Sequence, residues 1–303
     1  MDPDLIARND VFSAGRATEL GLTRAELRHL LRDQRVVRLH RGWYATRVPR
    51  TDADRHRLRV EALLAEYAGR AVATDASALL RLGIATWRPD LRRVHLALTD
   101  PGLSRHRKAD LVVHPHRAAA PELAPRPTAG TVHPAVAIAS VGLKDPRSFL
   151  VPADDGLRRG LVTADELRAA VAALGRRHGA ARVRAVLDWC DPRHESPGET
   201  LLAHVLRAAG HDLEPQFVVP GTEQWTRGQR GYRVDLRVRG TRVLVEFDGR
   251  VKYDDRQVLW EEKLREDRIR SLGWVVVRVT MADLRDPAAL RARVDAALAL
   301  AAA

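Results

Sequence analysis

Residues 232–252, YRVDLRVRGTRVLVEFDGRVK, read as a β-hairpin that gathers three carboxylates, Asp235, Glu246 and Asp248. Val234, Leu236 and Val238 alternate before Gly240, and Val243, Val245 and Phe247 alternate after it. With Gly240 and Thr241 as the turn residues, Asp235 falls directly opposite Glu246. Asp248 follows two residues later and projects from the same strand face as Glu246. Like charges directly opposite one another destabilise a strand pair. Two readings follow: a divalent cation held by oxygen ligands sits between the carboxylates, or Arg233, Arg237 and Arg242 neutralise them on a solvated face.

Outward from the hairpin, Ser196–Ala209 reads as a helix, with Ser196 as N-cap, Pro197 at the first helical position and Gly210 as stop. Glu214–Val219 is the first strand and the hairpin supplies two more. A charged helix, Arg256–Leu272, ends at Gly273, and the apolar run Trp274–Val279 reads as a strand buried on both faces. Ala288–Ala302 is the last helix. The order α-β-β-β-α-β-α describes a mixed sheet covered by helices.

The chain has 303 residues, 45% hydrophobic, enough for about two domains or three small ones. Its 51 Lys and Arg against 39 acidic residues give a formal charge of +12. Such a balance points to a polyanionic partner, with nucleic acid first, unless it reflects arginine-rich composition throughout. The single Cys190 excludes an intrachain disulfide framework and a cysteine-based zinc site. No run approaches the ~20 apolar residues that span a bilayer, and MDPDLIARND lacks a signal pattern. The expected location is cytoplasmic, with no membrane partner.

Residues 1–48 form a basic unit. Ser13–Leu20 reads as a helix, Thr23-Arg24-Ala25-Glu26 as a capping box opening a second helix through Arg32, and Val36–Leu39 with Gly42-Trp43-Tyr44 as a two-stranded wing. This is the layout of a winged helix-turn-helix, whose second helix enters the major groove. Arg24, Arg28 and Arg32 project from that helix, and Arg38 and Arg41 decorate the wing where phosphates run. The alternative is a small helical domain with a solvated basic face.

Residues 50–190 read as an α/β scaffold. Helices are expected at Asp54–Tyr67, Ala76–Leu82, Pro134–Val141, from the Thr163 capping box through Leu174, and at Ala180–Cys190; strands at Val94–Leu98 and Leu111–His114; and a loop over Ala118–Thr131. His95, His106, His114, His116 and His133 are scattered without metal-ligand spacing. His114-Pro115-His116 on a strand would aim both rings one way, with no third partner in view.

The C-terminal third resembles the PD-(D/E)XK nuclease superfamily, and more narrowly the domains related to very-short-patch-repair (Vsr) endonucleases. The resemblance rests on Asp235, on Glu246-Phe247-Asp248-Gly249, on the basic helix around Glu261–Arg268 and on the strand ending in Arg278. The N-terminal and middle parts resemble AbiEi-type antitoxin proteins, through helix order and the Arg41-Gly42-Trp43-Tyr44 ending. The implied fold class is α/β (α+β): a winged helix-turn-helix at 1–48, an α/β middle domain at 50–190, and an αβββαβ restriction-endonuclease-like domain at 196–303.

The resemblance implies a Mg²⁺- or Mn²⁺-dependent endodeoxyribonuclease acting in DNA repair or phage defence, with DNA as partner. Hydrolysing a phosphodiester needs a metal that polarises the phosphoryl oxygen and lowers the pKa of the attacking water. Asp235 and Glu246 are the expected oxygen ligands, and Asp248 is a third ligand or serves a second ion. Glu199, one turn into its helix, matches an additional acidic position of the superfamily, or closes a capping box on Ser196. Asp248 stands where the superfamily carries a Lys, which leaves Lys252 or Lys263 to orient water and meet charge. Arg278 meets a phosphate or a carboxylate, or is a structural salt bridge. Tyr253 and Trp260 are expected in the core rather than against bases. A double-strand cut would suggest a homodimer. The alternative function is a non-cleaving DNA-binding regulator or antitoxin that keeps the nuclease fold for binding alone.

Overall fold

The computed structural model describes residues 2–100, 102, 106–115, 123, 130–226, 231–249 and 256–302. The fold is mixed α/β with several small sheets. The chain divides into two compact units, Met1–Ala153 with Leu161–Ala185, and Asp154–Gly160 with Val186–Ala303. The 48–50 boundary expected from sequence therefore does not separate compact units, and the later boundary falls near residue 186 rather than 196.

The first unit opens with β1 (Val11–Ser13), α1 (Ala14–Glu19), α2 (Arg24–Arg32), β2 (Val37–His40) and β3 (Trp43–Ala45). The Thr23 box forms: Glu26 Oε2 accepts the Thr23 N–H at 2.8 Å, and Thr23 Oγ1 accepts the Glu26 N–H at 3.2 Å. The sheet runs β1-β3-β2, so the wing has three strands. Val11–Ser13 is too short for alternation to reveal it. Phe12, Ala17, Leu22, Leu30 and Val36 form the core of this part.

The opposite face of the wing packs Val11 and Ala45 on Leu58 and Ala62 of α3 (Asp52–Tyr67). Asp54, buried at the start of α3, accepts from Arg47 at 2.6 and 2.8 Å and from the Arg50 N–H at 2.9 Å. The Arg47 guanidinium holds the Asp54 carboxyl far below the usual range. Wing and helix thus share a core and an ion pair, which is why no boundary falls between them.

A four-stranded sheet, ordered β4-β5-β7-β6, follows. It comprises β4 (Ala71–Ala73), β5 (Val94–Leu98), β6 (His106–Arg107) and β7 (Leu111–His114), with α4 (Asp75–Arg81) between the first two strands. The helices α5 (Pro134–Gly142), α6 (Pro146–Arg158), α7 (Ala164–Ala172) and α8 (Ala180–Val186) come next. Sequence reading passes over α6 because Pro152 lies inside it, and an internal Pro removes a hydrogen bond and clashes with the preceding turn. Burial of Phe149, Leu150, Val151 and Ala153 offsets that cost. Most of the expected Ala118–Thr131 loop lies outside the described residues.

The second unit holds α9 (Pro197–Ala208), β8 (Leu213–Val218), β9 (Arg233–Val238), β10 (Val243–Asp248), α10 (Arg256–Ser271), β11 (Val275–Thr280) and α11 (Pro287–Ala302). The element order matches the sequence reading. The sheet runs β11-β10-β9-β8; β10 and β11 are parallel, with α10 as their crossover, and the other pairs are antiparallel. Leu202, Leu206, Leu236, Val245, Val279 and Val294 share one core cluster; Val234, Leu244 and Ile269 share another.

Candidate functional site

The β9–β10 ladder ends at Val245↔Leu236, and one further step of that register sets Asp235 opposite Glu246, as the Gly240 turn predicts. Gly240 takes the left-handed φ of +75° that the turn requires. Beyond the last pair, Asp235 Oδ2 accepts the Phe247 N–H at 2.7 Å, so a carboxylate takes a backbone donor at the strand edge. Burial pushes the Asp235 carboxyl up to about 6; the Phe247 N–H opposes this, Glu199 and Glu246 add to it, and Arg265 opposes it. The structure therefore gathers Glu199, Asp235 and Glu246.

Glu199 is buried in the first turn of α9. Its Oε2 accepts the Glu195 N–H at 2.8 Å and the Gln216 amide at 2.9 Å, while Ser196 Oγ accepts the Glu199 N–H at 3.2 Å. Ser196 caps as expected, but the Glu199 carboxylate is aimed at the sheet. Gln216 sits on β8 at a left-handed φ of +53°, strained for a non-glycine residue. The β8–β9 register places it against Asp235. Both strands switch core clusters there: Leu213 and Leu236 belong to one, Phe217 and Val234 to the other. Residues two apart on a regular strand share a face, so the backbone is irregular where Gln216 meets Asp235.

Glu246 Oε1 accepts from Arg265 of α10 at 2.9 Å, and the same guanidinium donates to the Arg233 carbonyl at 2.6 Å over the Tyr232 ring. Of the neutralising trio of the sequence reading, Arg233 pairs instead with Glu195, Arg237 donates to the Thr241 carbonyl and stands 3.6 Å from Glu214, and Arg242 donates to the Leu272 carbonyl. Among the described residues, the cation beside the carboxylates is Arg265. Asp248 is half-buried at the end of β10, paired with Thr280. Arg278, opposite Glu246, holds Glu262 at 2.7 Å and Glu266 at 3.0 Å, the salt-bridge outcome.

Lys252 and Tyr253 lie outside the described residues. Lys263 is exposed, off the inward stripe of Glu262, Arg265, Glu266 and Ile269, and is not brought to the carboxylates. Trp260 is 68% exposed, which corrects its expected core position. It stands on the solvent side of α10, off the stripe of Glu262, Arg265, Glu266 and Ile269.

The ligand atoms of the four carboxylates do not draw within 4.8 Å of one another in threes; among the described residues that closeness is met at Asp75, His95 and His114. An all-oxygen donor set of one or two carboxylates still fits Mg²⁺, which keeps several waters and takes substrate phosphate oxygens. Asp235 and Glu246 would hold such an ion.

No family model matches the chain. It is similar to two uncharacterized proteins of Mycobacterium tuberculosis, MT2308 of strain CDC 1551 / Oshkosh and Rv2248 of strain ATCC 25618 / H37Rv. Each is 27% identical over 276 residues, spanning 90% of this chain and 96% of the relative. Among solved structures it matches the Rv2827c protein of Mycobacterium tuberculosis at TM-score 0.35 and 20% identity, over 64% of this chain and 75% of that one.

The raised Asp235 carboxyl predicts a stability effect. Between its ordinary pKa of 3.8 and about 6, the folded chain binds more protons than the unfolded chain, so stability falls as pH rises through this window. Asp235→Asn keeps an acceptor for the Phe247 N–H and removes the penalty. In EDTA at pH 7.5 the variant is expected to be more stable, by on the order of 2 kcal/mol, with the difference gone by pH 4. Thermal melts across pH check this; a variant no more stable than wild type at pH 7.5 contradicts it.

In the first unit, Arg24, Arg28, Arg32, Arg38 and Arg41 are all exposed, and none pairs with an acidic side chain among the described residues. Arg47, Arg57, Arg59 and Arg81, by contrast, are each tied to a carboxylate. No helix among the described residues is long and apolar enough to cross a membrane.

Proposed function

We propose that the chain is a divalent-metal-dependent DNA endonuclease whose N-terminal arginine face holds duplex. The observation that carries this is the like-charge cluster of the second unit: Asp235, pushed up to about 6 beside Glu199 and Glu246, on strands distorted at Gln216. Acidic groups with perturbed titration crowd where chemistry needs them. A bound Mg²⁺ supplies a polarised phosphate oxygen and a more acidic water. Asp235 and Glu246 would hold the ion, with Asp248 as a further oxygen ligand, and Gln216 fixes Glu199. Arg265, preorganised by Tyr232 and the Arg233 carbonyl, takes the charge-stabilising place for which Lys252 and Lys263 were expected. The Arg265–Glu246 pair also favours a second reading, a regulator that binds DNA without cutting it.

The test is thermal stability with Mg²⁺ against EDTA, for wild type and Asp235→Asn. Wild type is expected to gain several degrees with saturating Mg²⁺ and the variant none, since only the folded site binds the ion. Equal shifts in both, or none in either, count against the metal site.

Duplex binding is expected to depend on the arginine face. Arg28→Ala with Arg32→Ala should weaken DNA binding for every sequence and lower the slope of log affinity against log salt by roughly 2. Fluorescence anisotropy across a salt series measures this; an unchanged slope removes α2 from the interface.

A further inference from the structure

Two of the histidines that look scattered in sequence, His95 and His114, meet in the first unit. His95 lies on β5 and His114 on β7, parallel neighbours, with their rings stacked at 5.4 Å. His95 Nδ1 is 3.1 Å from His114 Nε2 and 3.2 Å from Asp75 Oδ2, and His114 Nε2 is 3.6 Å from the same oxygen. Zinc ligands at about 2.0–2.1 Å in a tetrahedron stand about 3.3 Å apart. The observed triangle has the dimensions of one tetrahedral face.

Three further features belong to such a site. Asp75 holds a left-handed φ of +50°, strain on a ligand-bearing residue. The other nitrogen of His95, Nε2, faces the Asp90 carboxylate at 3.9 Å, on the side where ligating histidines commonly meet a carboxylate. The His95 N–H donates to Ser77 Oγ at 2.9 Å, and Ser77 Oγ lies 2.9 Å from His56 Nε2, which anchors the strand under the ring. Asp75 and His95 line a cavity of about 130 Å³ that also presents Ser140 and Lys144, leaving room for a fourth ligand. An imidazole pair with one carboxylate suits zinc and its neighbours rather than Mg²⁺.

We propose that Asp75, His95 and His114 form a zinc-type metal site with one coordination position open to this cavity. It is separate from the carboxylates of the second unit and independent of the nuclease reading.

The full chain, stripped with EDTA, is titrated with Co²⁺ as a spectroscopic stand-in for Zn²⁺. One equivalent is expected to bind with the intense visible bands of a tetrahedral ion, and Zn²⁺ to bleach them. His114→Ala, at a partly exposed position expected to fold, and Asp75→Asn should each weaken binding at least tenfold. Asp235→Asn should leave the bands intact. Three results overturn the proposal: no such bands in wild type, bands unchanged in folded His114→Ala, or bands lost in Asp235→Asn. The first would mean that the triangle is an imidazole–imidazole hydrogen bond beside a carboxylate.

Discussion

Gly198→Ala is expected to lose both stability and site geometry in the second unit. A Cβ at Gly198 would stand 2.0 Å from Phe247 Cε1 and 2.3 Å from Cδ1, a separation no real contact shows. Intrinsic helix propensity pulls the other way, since Ala is preferred over Gly in a helix by about 1 kcal/mol. Overpacking of this severity exceeds that gain, at about 3 kcal/mol. The ring that must move belongs to Phe247, between Glu246 and Asp248 in sequence, whose backbone N–H is the donor on Asp235. Displacing it shifts the β10 backbone that donates to Asp235 and carries Glu246 and Asp248 on either side. Calorimetry should show a lowered melting transition, and Mg²⁺ stabilisation should vanish even below that transition. Gly198→Ala combined with Phe247→Leu should recover part of the loss, because the two positions are coupled by contact. An undiminished melting temperature in Gly198→Ala would mean that α9 does not press on β10 as described.

Much of the second unit is legible in its residues. The hairpin register follows from Gly240, and the helix ends follow from Ser196, Pro197, Gly210 and Gly273, because turn and cap chemistry is local. Asp235 and Glu246 stand out because like charges opposite one another on adjacent strands are costly, whereas Glu199, on α9, stands out only through the superfamily resemblance. Gln216 and Arg265 are not legible. Gln216 matters through a left-handed backbone that no neighbouring residue announces, and Arg265 is one charge among many on α10, singled out only by its reach over Tyr232 to Glu246. Trp260 misleads because a large apolar side chain on a helix is usually buried.

The first unit shows the complementary limit. The Thr23 and Thr163 boxes mark their helices because both halves of each box lie within four residues. The shared core of wing and α3, the helix carrying Pro152, and the meeting of Asp75, His95 and His114 all depend on tertiary contact between distant segments. His95 and His114 are joined by strand pairing, and no spacing rule captures that.

Asp235→Ala is expected to abolish phosphodiester cleavage. In the proposed site Asp235 would supply an oxygen ligand beside Glu246, so its removal would take away the ion's hold and with it the polarised phosphate. A loss of roughly a thousandfold or more corresponds to about 4 kcal/mol of transition-state stabilisation. Supercoiled and linear plasmid, incubated with the purified full chain in Mg²⁺, in Mn²⁺ and in EDTA beside Asp235→Ala, measures this. The predicted result is metal-dependent cutting by wild type and none by the variant, with both proteins shifting DNA equally. Cutting that survives Asp235→Ala or EDTA, or no cutting by wild type under any metal, would contradict the account.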